Sequence, residues 1–116
     1  MDKYDLEERT IAFSENVVKL TKLAYKSSFL RPISTQLLRS GTSIGANYAE
    51  ANGASSRQDF KNKIHICKKE SIETKYWLRL LSTSDNNLSD KCRILWKEAQ
   101  ELTLIFSKIL GTINNK

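Results

Sequence analysis

Five polar residues, Gln36, Ser40, Ser43, Asn47 and Glu50, recur along the chain at spacings of four, three, four and three. Helical periodicity puts them on one narrow face, beside a second stripe made of the apolar Ile33, Leu37 and Ile44. Short hydroxyl and amide groups at the margin of a core must find hydrogen-bond partners. The stripe therefore predicts a specific helix-to-helix contact, within one chain or between chains. A satisfied hydrogen-bond network with no activity meets the same requirement.

A second set is cationic. Arg57, Lys61, Lys68, Lys75 and Arg79 project from one helix within an arc of about 40°. Asp59, Glu70 and Glu73 fall on its opposite side, and Lys19, Lys22 and Lys26 form a shorter basic row earlier in the chain. The net charge of +6 is uneven: residues 1–18 balance at −3, residues 19–69 at +8 and the remainder at +1. The basic middle is the candidate contact region. A ridge of cations can follow successive phosphates of a nucleic acid. A solvated face, or ion pairs between subunits, accounts for the same pattern. Tyr76, Trp77 and Trp96 could stack on bases, but packing in a bundle or an interface is the reading their size favours. With no recognition helix, aromatic stacking platform or zinc finger in the pattern, sequence-specific readout is not expected.

Catalysis and metal binding find little in these residues. There is no glycine-rich phosphate loop and no histidine beside a nucleophile. Glu70 and Glu73 lack the Glu-x-x-His companions of a di-iron bundle. His65 is the one histidine and lies outside the apolar stripe; Cys67 and Cys92 take core-facing positions on two different helices. That set does not make a zinc site, and the cysteines read as small buried hydrophobes. No catalytic residue, metal or cofactor is expected, and the chain reads as a non-enzyme.

These residues ride on helices. The first is expected from about Asp5 to Tyr25, with Leu6, Thr10, Phe13, Val17, Leu20 and Ala24 inward and Asp5 with Glu8 as a capping box. Pro32 suits the first turn of the second helix, and Gly53 suits a left-handed cap at its end. Ser56 and Asp59 open the third helix, whose core positions are Phe60, Ile64, Cys67, Ser71, Thr74, Leu78 and Leu81. After a loop over Ser84–Asn87, the fourth carries Leu88, Cys92, Leu95, Ala99, Leu102, Phe106, Ile109 and Ile113. Gly41 and Gly45, inside the second helix, predict close approach of another backbone, by a tight crossing in the bundle or by a subunit contact. No strand pattern alternates anywhere. The fold class is all-α: a single domain over residues 1–116, an antiparallel up-down-up-down four-helix bundle.

With 40% apolar and 28% charged residues, the chain has the composition of a globular domain rather than a disordered one. No run of about eighteen apolar residues predicts a membrane span. The start, Met1-Asp2-Lys3-Tyr4-Asp5, is acidic without an apolar signal core, so a cytoplasmic protein is expected.

The stretch Gln36-Leu37-Leu38-Arg39-Ser40 through Ser43-Ile44-Gly45-Ala46-Asn47-Tyr48-Ala49-Glu50 resembles the signature of the small bacterial 23S rRNA intervening-sequence proteins. The likeness continues through Ser56-Arg57-Gln58-Asp59-Phe60 and Lys69-Glu70-Ser71-Ile72-Glu73-Thr74-Lys75-Tyr76-Trp77-Leu78, and is clearest over residues 36–81. Ala51-Asn52-Gly53-Ala54-Ser55 departs from the Glu-Gly and Gly-Arg steps of many relatives, which bears on a loop contact more than on the fold. The resemblance implies a four-helix bundle that assembles with itself into a pentameric ring. It also extends to the accessory variability proteins of diversity-generating retroelements, which form pentameric barrels that bind nucleic acid and a reverse transcriptase. It thus implies an accessory role with nucleic acid, and a partner protein such as a reverse transcriptase. Gln36, Arg39, Ser40, Ser43, Asn47 and Glu50 carry over as structural or subunit-interface residues. The alternative is a protein-binding scaffold, in which the basic stripe pairs with carboxylates such as Glu70 and Glu73 of a neighbouring subunit.

Overall fold

The computed structural model describes residues 3–114, with side chains from residue 5 on. Met1 and Asp2, two of the five residues of the acidic start read above, lie outside the described residues. Helices α1 (Lys3–Ala24), α2 (Arg31–Asn52), α3 (Arg57–Ser84) and α4 (Ser89–Asn114) follow one another through short connections, two of which contain single 3₁₀ turns, Ser28–Leu30 and Asn86–Leu88. Such tight connections fold consecutive helices back antiparallel, giving an up-down-up-down bundle 47 Å long and about 20 Å across.

The heptad rhythm places the core. Leu6, Phe13, Val17, Leu20 and Ala24 of α1 are buried against Leu37, Ile44 and Tyr48 of α2, Ile64, Cys67, Leu78 and Leu81 of α3, and Cys92, Leu95, Ala99, Leu102 and Phe106 of α4. Thr10, Ser71 and Thr74 occupy inward positions at 1%, 0% and 0% exposure. Thr10 and Ser71 return their hydroxyl protons to carbonyls of their own helices, and Thr74 has the Glu70 carbonyl within reach at 2.7 Å, which lets polar groups lie in the core without an orphan donor. Phe60, Ile109 and Ile113, at the ends of their stripes, are half-buried.

Helix ends follow local chemistry, with two corrections. Ser56 caps α3 by accepting from the Asp59 backbone N–H at 3.0 Å, and Pro32 occupies the first turn of α2. Asp5 is not a cap: α1 begins two residues earlier, and Asp5 lies in its first turn, where a carboxylate opposes the positive helix end. Gly53 does end α2, but at φ −100°, not in the left-handed region. Its N–H bonds Glu50 O at 3.1 Å in a tightened last turn, which any residue could adopt.

The close approach expected at Gly41 is within the chain. A methyl at Gly41 would stand 2.8 and 2.9 Å from the two Cγ atoms of Val17, and one at Gly45 would meet Ser14 and the Thr10 carbonyl at 3.2 and 3.3 Å. Both glycines let α2 lie against α1. Neighbouring pairs α1–α2, α2–α3 and α3–α4 are in intimate contact, whereas α1 and α4 touch more sparsely.

Candidate nucleic-acid interface

The polar stripe of α2 forms the seam with α3. Ser40 is fully buried and accepts from the Thr74 hydroxyl at 3.0 Å. Arg39, from the outer edge of the same face, reaches across to Glu70 at 2.9 Å and also bonds Glu73. Glu50 takes Lys63 at 2.9 Å. The rest of the stripe turns back on itself: Ser43 donates to Arg39 O at 2.6 Å, Asn47 to Ser43 O at 2.8 Å, and exposed Gln36 accepts from the Arg39 Nε at 3.4 Å. Within the chain, Ser40 and Glu50 are the two of the five stripe residues that make the predicted contact with α3, joined by Arg39 beside them.

Electrostatics on this seam is settled locally. Glu70 is buried and would be costly as a lone charge; Arg39 supplies its counter-ion. The Glu73 carboxyl is held below the usual range, first by a hydrogen bond from the Trp77 indole at 3.0 Å and then by Arg39. Arg39 is held more firmly protonated in return, chiefly by Glu73. The carboxylates that could have met a neighbouring subunit's lysines already have a partner in the same chain.

A second ion cluster joins α1 to α4. Arg9 grips Glu98 with two bonds of 2.6 and 2.7 Å and also bonds Glu101. Its hydrogen bonds to Glu98, the largest of the influences on it, hold the guanidinium more firmly charged than usual. Sequence reading missed this cluster, although Glu98 and Glu101 on one face of α4 were its visible half.

The α3–α4 side is different. Arg57, Lys61, Lys68, Lys75 and Arg79 run along it, and none of them makes an ion pair among the described residues. Arg57 and Arg79 are exposed, the three lysines half-buried along their stems. Arg57 donates weakly to Ile113 O at 3.4 Å. Lys75 bonds the Gln100 amide oxygen and places its ammonium 5.5 Å from the Trp96 ring centroid. Arg93 and Lys97 of α4, which sequence reading did not single out, line the same side beside Arg79 and Trp96. The charge pattern of α3 alone could not reveal them, because they join only once α4 is docked.

Lys19 and Lys22 are exposed on α1 and Lys26 in the turn that follows it, and the fold does not bring them to the α3 ridge. Lys19 instead faces Lys91 and Ile94 across the α1–α4 cleft. Tyr76 is exposed and meets Trp77 edge-on at 5.0 Å, while Trp77 packs on the core. His65 is exposed, and no group of three or more His, Cys, Asp or Glu side chains able to hold a metal occurs among the described residues. Among the described residues, no helix is long and apolar enough to cross a membrane.

Comparison with known proteins agrees with this architecture. A family model described as the 23S rRNA-intervening sequence protein matches residues 2–108. The chain is also similar to the 1.70 Å crystal structure of a protein of unknown function from the S23 ribosomal protein family of Bacteroides thetaiotaomicron VPI-5482. The TM-score is 0.83 and the identity 36%, over 90% of this chain and 96% of that one. None of the curated proteins compared with this chain matches it.

Proposed function

This chain belongs to the 23S rRNA-intervening sequence protein family, and from that premise we propose that it is a non-enzymatic, self-associating bundle that binds structured RNA through its α3–α4 face. The assembly is the pentamer that the resemblance to ring-forming relatives implies. The observation that carries the reading is the sorting of charge around the bundle. At the α2–α3 seam and between α1 and α4, carboxylates are paired with arginine or lysine; along α3–α4, five cations have no carboxylate partner.

An unopposed ridge of cations over a helix as long as α3, 28 residues, raises the local concentration of a polyanion and releases its counter-ions on binding. Binding of this kind follows shape and phosphate positions, not base sequence, which suits an accessory role. Self-association multiplies the ridge by the number of subunits and so steepens the salt dependence.

The test is the triple variant K61E/K68E/K75E, compared with the unaltered chain for RNA binding at low salt and for particle mass. Loss of RNA binding with mass unchanged supports the reading. Dissociation of the variant into monomers would assign the ridge to the subunit interface, in favour of the scaffold alternative.

A further inference from the structure

Resting on the reading of the α3–α4 face as an RNA surface, we infer that the groove at the α3 C-terminus and the α4 N-terminal half is a subsite for one unpaired nucleotide of the strand. In this subsite the base lies along Trp96 and its phosphate meets Arg79, Arg93 and Lys97.

The groove has a volume of about 380 Å³, within the size range of small-ligand pockets. Leu78 and Cys92, both at 1% exposure or less, give it an apolar floor. Trp96 lines it while keeping 38% of its surface exposed. An indole left this open in a basic groove offers the flat surface on which any base can stack. The Lys75 ammonium lies over the same ring and bonds Gln100, which fixes the indole's surroundings and adds a fourth cation.

The acidic groups nearby do not cancel these charges. Asp90 approaches Arg93 at 3.3 Å, but with side chains 92% and 64% exposed this pair is readily exchanged for a phosphate. Asp85 accepts from the Asn87 backbone N–H at 2.9 Å, which directs it to its own turn. The larger cleft, about 710 Å³ between α1 and α4, lacks this character because Glu98 and Glu101 line it and Arg9 is spent on them. A base inside an A-form duplex is stacked on its neighbours and cannot reach an indole, so the occupant is an unpaired nucleotide in a loop, bulge or end.

The test uses the full chain with W77F, which leaves Trp96 as the single tryptophan reporter. It is titrated at low salt with a short uridine oligonucleotide, with a blunt RNA duplex, and with UMP. The oligonucleotide is expected to quench Trp96. With affinities read from the fluorescence anisotropy of dye-labelled RNA, adding W96L should weaken the oligonucleotide by about tenfold and leave duplex affinity within about twofold, while W96F retains most of the binding. If duplex and strand bind with the usual salt dependence but Trp96 stays silent and W96L changes neither, the subsite is wrong and the RNA reading stands. If UMP quenches as tightly as the oligonucleotide, the groove serves a free nucleotide and the strand assignment is overturned. If neither RNA binds, the subsite and the reading beneath it fall together.

Discussion

The Arg39 guanidinium meets the Glu70 carboxylate at 2.9 Å across the α2–α3 seam and bonds Glu73 one turn further along. That pairing sorts the charges of α3. Glu70 and Glu73 are consumed on the α2 side, while Arg57, Lys61, Lys68, Lys75 and Arg79 run along the α4 side without an ion pair among the described residues. A helix that would look like an ordinary salt-laced amphipath in isolation thereby gains one neutralised edge and one basic edge.

Glu73 gives this pairing a pH signature. A carboxyl held below its ordinary value of 4.5 stabilises the fold above that pH, and the contribution is lost as pH falls through the lowered value. E73Q should therefore melt earlier than the unaltered chain at pH 7, by under about 1 kcal/mol given its exposure to solvent. The gap should close as pH falls below 4.5 and through the lowered value. Thermal melts across that range check it; a gap that widens in acid would contradict the arrangement.

Val17 is the anvil for Gly41. G41A should gain helix propensity of up to about 1 kcal/mol, yet lose about 1–3 kcal/mol to overpacking against a β-branched side chain. The net effect expected is destabilisation. In V17A/G41A the new methyl finds room, so a double-mutant cycle by urea unfolding should show strong coupling between the two sites.

The buried Ser40–Thr74 pair should show the asymmetry of hydrogen bonding. S40A removes the acceptor of a bond that Thr74 can redirect to Glu70 O at 2.7 Å, so it should cost no more than about 1 kcal/mol. T74V removes the donor and leaves the Ser40 hydroxyl in the core with only a long 3.4 Å bond, to Leu37 O, and should cost more, about 1–3 kcal/mol. S40A/T74V should recover part of that loss. Denaturant midpoints of the four proteins decide the order.

Cys67 and Cys92 should be inert in the native protein. Burial pushes their thiols up to about 12 and about 11, so almost no thiolate is present at pH 8. A thiol reagent should label both only when denaturant is added. Fast native labelling of either would mean that its helix opens readily.

The fold was legible because α1, α3 and α4 keep an unbroken heptad rhythm, and burial follows that rhythm at Phe13, Ile64 and Phe106 alike. Helix starts were readable where a side chain makes the cap, as at Ser56, and misread at Asp5, where the helix simply runs on. The destination of the polar stripe was half-legible. Periodicity places Ser40 beside the core, but the rotation of α2 against α3 decides that Thr74 meets it and that Arg39 bridges Glu70 and Glu73. Arg9 with Glu98 and Glu101, and Arg93 with Arg79, were illegible for the same reason. Each pair combines residues from helices distant in sequence, whose facing edges are fixed only by packing.

The claim at the centre of this account is that the assembled bundle presents an unopposed basic ridge to RNA. Light-scattering mass of the full chain, with and without a structured RNA at low and at high salt, tests it most directly. A particle of pentameric mass that takes up RNA at low salt and gives it back at high salt is the predicted result. A particle of the same mass that ignores RNA at low salt would contradict it.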